Sequence, residues 1–207
     1  MGLSAAQLSA ALTALGEREP AFARAVDRVG LPEPRIRDRG YATLLRTIVG
    51  QQVSVKAAQS IWNKLEAQLG DLNDPMTIAD ATPEALREAG LSRQKSSYAK
   101  SLADEVTSGR LDLMALPGDD EDAIAQLVQI KGIGRWSAEI YLLFAEGRED
   151  IWPAGDLAVQ IEIGRILGHA DRPSEKLVRE IAEPWRPHRG AAAIFAWHHY
   201  SAGMDVV

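Results

Sequence analysis

The stretch from Gln129 to Phe144 reads Gln-Ile-Lys-Gly-Ile-Gly-Arg-Trp and then runs into an apolar segment. It holds residues suited to gripping an anion. Gly132 and Gly134 carry no side chain, so backbone N–H groups beside them can approach a phosphate directly. A helix is expected from Arg135 to Glu146, and its unsatisfied amides and positive dipole end would lie at the same place. Asp156 follows a glycine and opens a second helical pattern, Leu-Ala-Val-Gln-Ile-Glu-Ile-Gly-Arg-Ile-Leu. Its carboxylate is either a plain N-cap or a functional anion placed where the dipole favours negative charge. Trp136 and Trp197 offer aromatic faces that can hold a cationic ring, although on residue type alone each is more often a core tryptophan.

Three readings of the glycine pair compete. A dinucleotide fingerprint needs glycine or alanine where Ser137 stands, and a strand where "DAIAQLVQ" reads as helix, so it is set aside. An ordinary tight turn between packed helices remains open. So does a helix-hairpin-helix unit, which grips a nucleic-acid backbone through amides and reads no base sequence. Amide donors demand little positive charge, which suits a chain whose formal net charge is −6.

The elements that must position these groups are helices. Ser4 to Leu15 and Pro20 to Val29 form a pair. Tyr41 to Leu69 is apolar at helical spacing but interrupted by "GQQVS", which predicts two helices joined by a tight turn with Ser54 capping the second. Thr82, Pro83 and Gly90 mark the start and stop of another helix. Helices follow from about 94 to 108, from Asp119 (as cap) to Val128, from 174 to 183 and from 188 to 203. No run alternates convincingly as a strand, so the expected class is all-α. The absence of cysteine excludes disulfides and thiolate-held zinc or iron–sulfur sites. His198 and His199 are adjacent and lack metal-ligand spacing. No signal peptide or membrane-length apolar run is visible, so a cytoplasmic protein without membrane association is expected.

Four segments together resemble one family. "LVQIKGIGRWSAEIYLLFA" with Asp156 beyond it, "LLRTIVGQQVSVKAAQSIWNKL", "GLSRQKSSYAKSLA" and "WRPHRGAAAIFAWHHY" are similar to the helix-hairpin-helix superfamily of DNA base-excision glycosylases. The nearest likeness is to the DNA-3-methyladenine glycosylase II type, in its compact members without an N-terminal β domain. The resemblance runs from about residue 20 to 203. It implies a two-lobed helical fold with a DNA-binding cleft between the lobes. One lobe would be about 35–150, with the hairpin at 127–140, and the other 1–34 plus 151–207, the whole forming a single glycosylase unit. It also implies a monofunctional enzyme that flips and hydrolyses alkylated purines such as 3-methyladenine and 7-methylguanine out of duplex DNA.

The family's roles carry over residue by residue. In relatives that also cut the strand, a lysine stands in the place of Trp136; Lys131 lies on the other side of the hairpin. That substitution favours water as the nucleophile, with Asp156 catalytic. Trp136 and Trp197, with Ile140 and Tyr141, are the expected base pocket, Ile140 standing where related enzymes can have tyrosine. Gln51, Gln52 and Ser54 in the turn, and Lys131, Gly132, Ile133, Gly134 and Arg135 in the hairpin, are expected to contact DNA, with Gln52 filling the gap left by the flipped base. No cofactor is required, although backbone carbonyls of Val128, Ile130 and Ile133 could hold a structural monovalent or hard cation. Arg189 either contacts phosphate or, as favoured, braces a buried carboxylate; Lys95 and Arg93 either touch the DNA backbone or, more often, lie on a solvated helix face. No obligatory protein partner is evident, and the alternatives are a bifunctional glycosylase/AP lyase or a non-catalytic damaged-DNA-binding module.

Overall fold

The computed structural model describes residues 2–204. Among the described residues there are twelve α-helices and no strand, as the periodicity requires. None is long and apolar enough to cross a membrane. The chain divides into two compact units: residues 2–37 with 142–204, and Asp38–Tyr141.

The Asp38–Tyr141 unit contains α3 (Tyr41–Gly50), α4 (Val55–Leu69), α5 (Pro75–Asp80), α6 (Pro83–Glu88), α7 (Arg93–Thr107), α8 (Asp120–Leu127) and α9 (Arg135–Tyr141). Its centre is α3, which packs against α4, α7 and α9. Leu44, Leu45 and Ile48 of that helix are fully buried, and Leu65, Ile78, Leu86 and Leu102 meet the same core. Each such side chain contributes about 1.5–3 kcal/mol of burial. The boundaries follow from local chemistry. Ser54 Oγ accepts from Ala57 N at 3.2 Å, Thr82 Oγ1 from Ala85 N at 3.2 Å, and Asp119 Oδ1 from Glu121 and Asp122 N–H. All three are caps expected from sequence. The short α5 was not expected, although Asp74 caps it and Pro75 occupies its first turn.

The other unit contains α1 (Ala5–Arg18), α2 (Pro20–Val29), α10 (Leu157–Leu167), α11 (Glu175–Ala182) and α12 (Arg189–Met204). Here α12 packs on α10, α1 and α2. Phe22, Phe195, Trp152 and Trp185 form an aromatic centre; Trp185 meets both Phe22 (5.0 Å between centroids) and Trp152 (5.7 Å) edge-on. Alanines 191–193 and Gly190 let α12 come close, since a Cβ on Gly190 would lie 2.6 Å from Glu149 O.

The single helix expected over 135–146 is instead α9 followed by a π-helical turn, Leu142–Glu146. Phe144 O accepts from Arg37 N at 2.9 Å, outside the helix, and Leu142 O from Arg148 N at 3.1 Å. Both carbonyls thus find partners beyond the α-helical ladder, in the last turn where none is available inside the helix.

Candidate functional site

In the Asp38–Tyr141 unit the glycine hairpin links α8 to α9. Ile133 N donates to Ile130 O at 3.0 Å, closing the bend, and Gly132 sits at φ 83°. A Cβ on Gly132 would overlap the ring of Tyr98, so both conformation and space require glycine there. Gly134 has open space where a Cβ would stand, which leaves its backbone approachable. The first α9 bond is Ala138 N to Gly134 O at 3.0 Å, so the amides of the first turn lie ahead of the ladder. Lys131 is exposed, and its own N–H donates to Ser101 Oγ at 3.1 Å.

The turn between α3 and α4 belongs to the same unit. Gln52 is exposed and takes φ 55°, and it is the one non-glycine residue with positive φ among the described residues. Gln51 is half-buried, and its Nε2 donates to Gly132 O at 2.8 Å. Lys95 Nζ donates to Val49 O at 2.8 Å, and burial pushes its ammonium below the usual lysine range. The solvated role expected for Lys95 is therefore replaced by a structural one.

Arg135 is held rather than loose. Its Nη1 and Nη2 reach Glu121 at 2.7 and 2.5 Å, and Nε reaches the buried Glu139 at 2.9 Å. The Glu121 hydrogen bonds lead in raising its guanidinium above the usual range. Trp136 follows, with 47% of its surface exposed, an unusual state for tryptophan. Ile140 and Tyr141 are buried in this unit, and the Tyr141 hydroxyl accepts Gly40 N–H at 2.9 Å.

In the other unit Asp156 caps α10. Its Oδ1 accepts Val159 N–H at 3.0 Å and the Trp197 indole Nε1–H at 3.1 Å. One oxygen thus serves both as the helix cap and as the acceptor for the indole. Two hydrogen bonds and a packed ring fix this carboxylate far better than a solvated cap would. The loop ahead of it is equally held: Trp152 Nε1 donates to Val178 O at 3.2 Å, and Gln160 Nε2 to Ala154 O at 2.8 Å. Trp197 meets Phe144 at 5.7 Å, and Arg37 lies 5.7 Å over the opposite ring of that pair, Phe144.

Behind this carboxylate run two further ties that sequence reasoning missed. His199 Nδ1 lies 2.5 Å from the buried Glu162 Oε2, and Arg28 Nη2 lies 2.5 Å from His199 Nε2. Since arginine only donates, His199 Nε2 accepts and its Nδ1–H faces Glu162. This pins α12 to α10 and α2. Arg189 makes the brace expected of it, with Nε and Nη2 on Asp150 at 2.8 Å each and Nη1 on Glu183 at 3.2 Å. Arg186 pairs with Asp150 and Glu183 as well. No group of three or more metal-ligating side chains occurs among the described residues.

The geometry defines an all-α protein with a glycine hairpin at a helix start, a strained turn bound to it, and a capped carboxylate under a tryptophan. The profile of the HhH-GPD superfamily base excision DNA repair protein matches residues 45–187, and the chain belongs to that superfamily. The chain is 34% identical over 161 residues to DNA-3-methyladenine glycosylase 1 of Schizosaccharomyces pombe, covering 76% of this chain and 71% of that protein. The crystal structure of a DNA-3-methyladenine glycosidase from Bacillus halodurans superposes with a TM-score of 0.87 at 27% identity, over 95% of this chain and 91% of that one. The fission-yeast 3-methyladenine DNA glycosylase in complex with abasic DNA superposes with a TM-score of 0.73 at 30% identity, over 94% and 96%.

Proposed function

We propose that the protein is a monofunctional DNA glycosylase that extrudes alkylated purines from duplex DNA and removes them by hydrolysis, in base excision repair. The observation that carries this is the Asp156 carboxylate, fixed by the Val159 amide and the Trp197 indole at the start of α10, in a chain of this superfamily.

The hairpin amides of Gly132, Gly134 and Arg135 bind a backbone phosphate, and Gln52 enters the duplex as the damaged nucleotide leaves the stack, at a cost of a few kcal/mol. A purine alkylated at N3 or N7 is cationic. When the bond from C1′ to its ring nitrogen breaks, the base takes the bonding electrons and leaves neutral, so no strong general acid is needed. The sugar is left oxocarbenium-like. Asp156 stabilises that charge and receives a proton from the water that adds at C1′. The products are a free base and an abasic sugar. Trp197 offers its face beside that carboxylate, and Trp136 is assigned a second aromatic contact to the substrate; a cationic ring gains about 0.5–2 kcal/mol from each such face. With tryptophan at position 136, no lysine stands there to attack the sugar as an amine. The backbone carbonyls of Val128, Ile130 and Ile133 are neutral oxygen donors of the kind a hard or monovalent cation takes. The role assigned to them is to stiffen the bend.

Mass spectrometry of bases liberated from methylated DNA tests the proposal. The parent protein is expected to release 3-methyladenine or 7-methylguanine, and Asp156→Asn to bind the same DNA without releasing either. Release at the parent rate by Asp156→Asn would end the mechanism. Covalent trapping by borohydride is expected to yield no protein–DNA adduct.

A further inference from the structure

We infer that Gln51 is a positioning residue: its side chain ties the α3–α4 turn to the glycine hairpin, so that Gln52 is presented in its left-handed conformation. This rests on the proposal that turn and hairpin both engage DNA. It assigns Gln51 a task different from the direct DNA contact expected of it.

The left-handed conformation of Gln52 needs an explanation. An L-residue with a side chain this long pays for φ 55°, and such strain persists only where the surroundings over-determine the backbone. Three contacts do so here. Upstream, Lys95 Nζ holds Val49 O at the end of α3. Downstream, Ser54 caps α4 through Ala57 N. Between them Gln51 Nε2 reaches across to Gly132 O at 2.8 Å, over a sequence distance of 81 residues. Of the two glutamines, Gln51 is half-buried and turned to the hairpin, while Gln52 is exposed.

The far end of that bond is equally fixed. Gly132 packs closely against the Tyr98 ring, and Lys131 N–H donates to Ser101 Oγ at 3.1 Å. Lys95, Tyr98 and Ser101 follow one another at intervals of three along α7, so one stripe of that helix backs both loops. Only the Gln51 bond joins the loops to each other directly among these contacts. The acceptor is a carbonyl, so a donor is required at that position, and shape alone does not suffice. Without it the turn is free to relax its strain by moving Gln52 out of line with the hairpin.

The test is binding to a duplex with a tetrahydrofuran abasic analogue, read by fluorescence anisotropy for the parent, Gln51→Met, Gln52→Ala and the double variant. Gln51→Met keeps length and packing but has no donor. It is expected to weaken binding by about 3- to 10-fold, the factor that goes with one ordinary hydrogen bond. In the Gln52→Ala background the same change is expected to cost nothing further, because what Gln51 presents is already gone. The salt dependence of binding should stay at the parent slope, since no phosphate contact is lost. Equal losses in both backgrounds, or no loss in either, would overturn the inference. Should Gln51→Met not fold, Gln51→Asn, one methylene too short to reach Gly132, is expected to give the same pattern. The duplex has no base to release, so a failed base-release assay leaves this result standing. A parent protein with no preference for the abasic duplex would overturn both proposals.

Discussion

The carboxylate region and the gripping region are built on opposite plans. Around Asp156 the work is done by side chains. A carboxylate, an indole and a histidine set between Glu162 and Arg28 lock α10, α12 and α2 together, and Arg189 braces α12 against Asp150 and Glu183. Around the hairpin the groups that matter are backbone. Gly132 O, Val49 O and Lys131 N are each met by a single side chain, and the shape is set by two residues with positive φ. Under the function proposed, the difference follows from what each region would recognise. A phosphate backbone is the same at every nucleotide, so amides on a rigid bend suffice. A sugar carbon that becomes charged for an instant needs one anion held in one place, and only packed side chains hold it that closely.

Asp156→Asn is the sharpest probe of that contrast, with the largest expected effect. Asparagine still caps α10 and still accepts from Trp197, so folding and DNA binding should stay near parent values. Single-turnover base release should fall by about 10²- to 10³-fold. Gly132→Ala attacks the other region. A methyl group meets the Tyr98 ring at a positive φ, and the urea midpoint should show a loss of about 2–4 kcal/mol. Binding to abasic duplex should be lost with it. If Gly132→Ala instead left binding intact and only slowed base release, the division of labour drawn here would be wrong.

Two smaller effects refine the picture. Trp197→Phe keeps an aromatic face but removes the donor to Asp156 Oδ1. Base release is expected to slow by about 3- to 10-fold with duplex affinity unchanged. Gln52→Gly relieves the left-handed strain while making the unfolded chain more flexible, so stability should rise by no more than about 1 kcal/mol. Anisotropy should nevertheless report weaker binding, because the side chain proposed as the wedge is gone. A variant that gains stability and loses grip is the mark of a residue strained for function.

Legibility from sequence tracked the range of the interaction. The caps Ser54, Thr82 and Asp119 were visible because a hydroxyl or carboxylate bonds an amide two or three residues on. The hairpin was visible for the same reason: two glycines and a helix start lie within four residues. Resemblance to a family, not spacing, singled out Asp156, since locally it is an ordinary cap. The π turn at Leu142–Glu146 was not legible, because nothing in its apolar pattern separates i+5 from i+4 spacing. Lys95 read as a solvated lysine, and nothing near it in the chain announces Val49 O.

By itself, then, the sequence determined the helices, their ends and the bare hairpin, because those depend on periodicity and on bonds made within a turn. Only the tertiary structure decided that Trp197 donates to an aspartate 41 residues away and that Gln51 holds a carbonyl 81 residues away. Such pairs depend on how helices cross and how far each is rotated about its axis. A pattern of apolar residues specifies which face is buried, and leaves open which partner that face will meet.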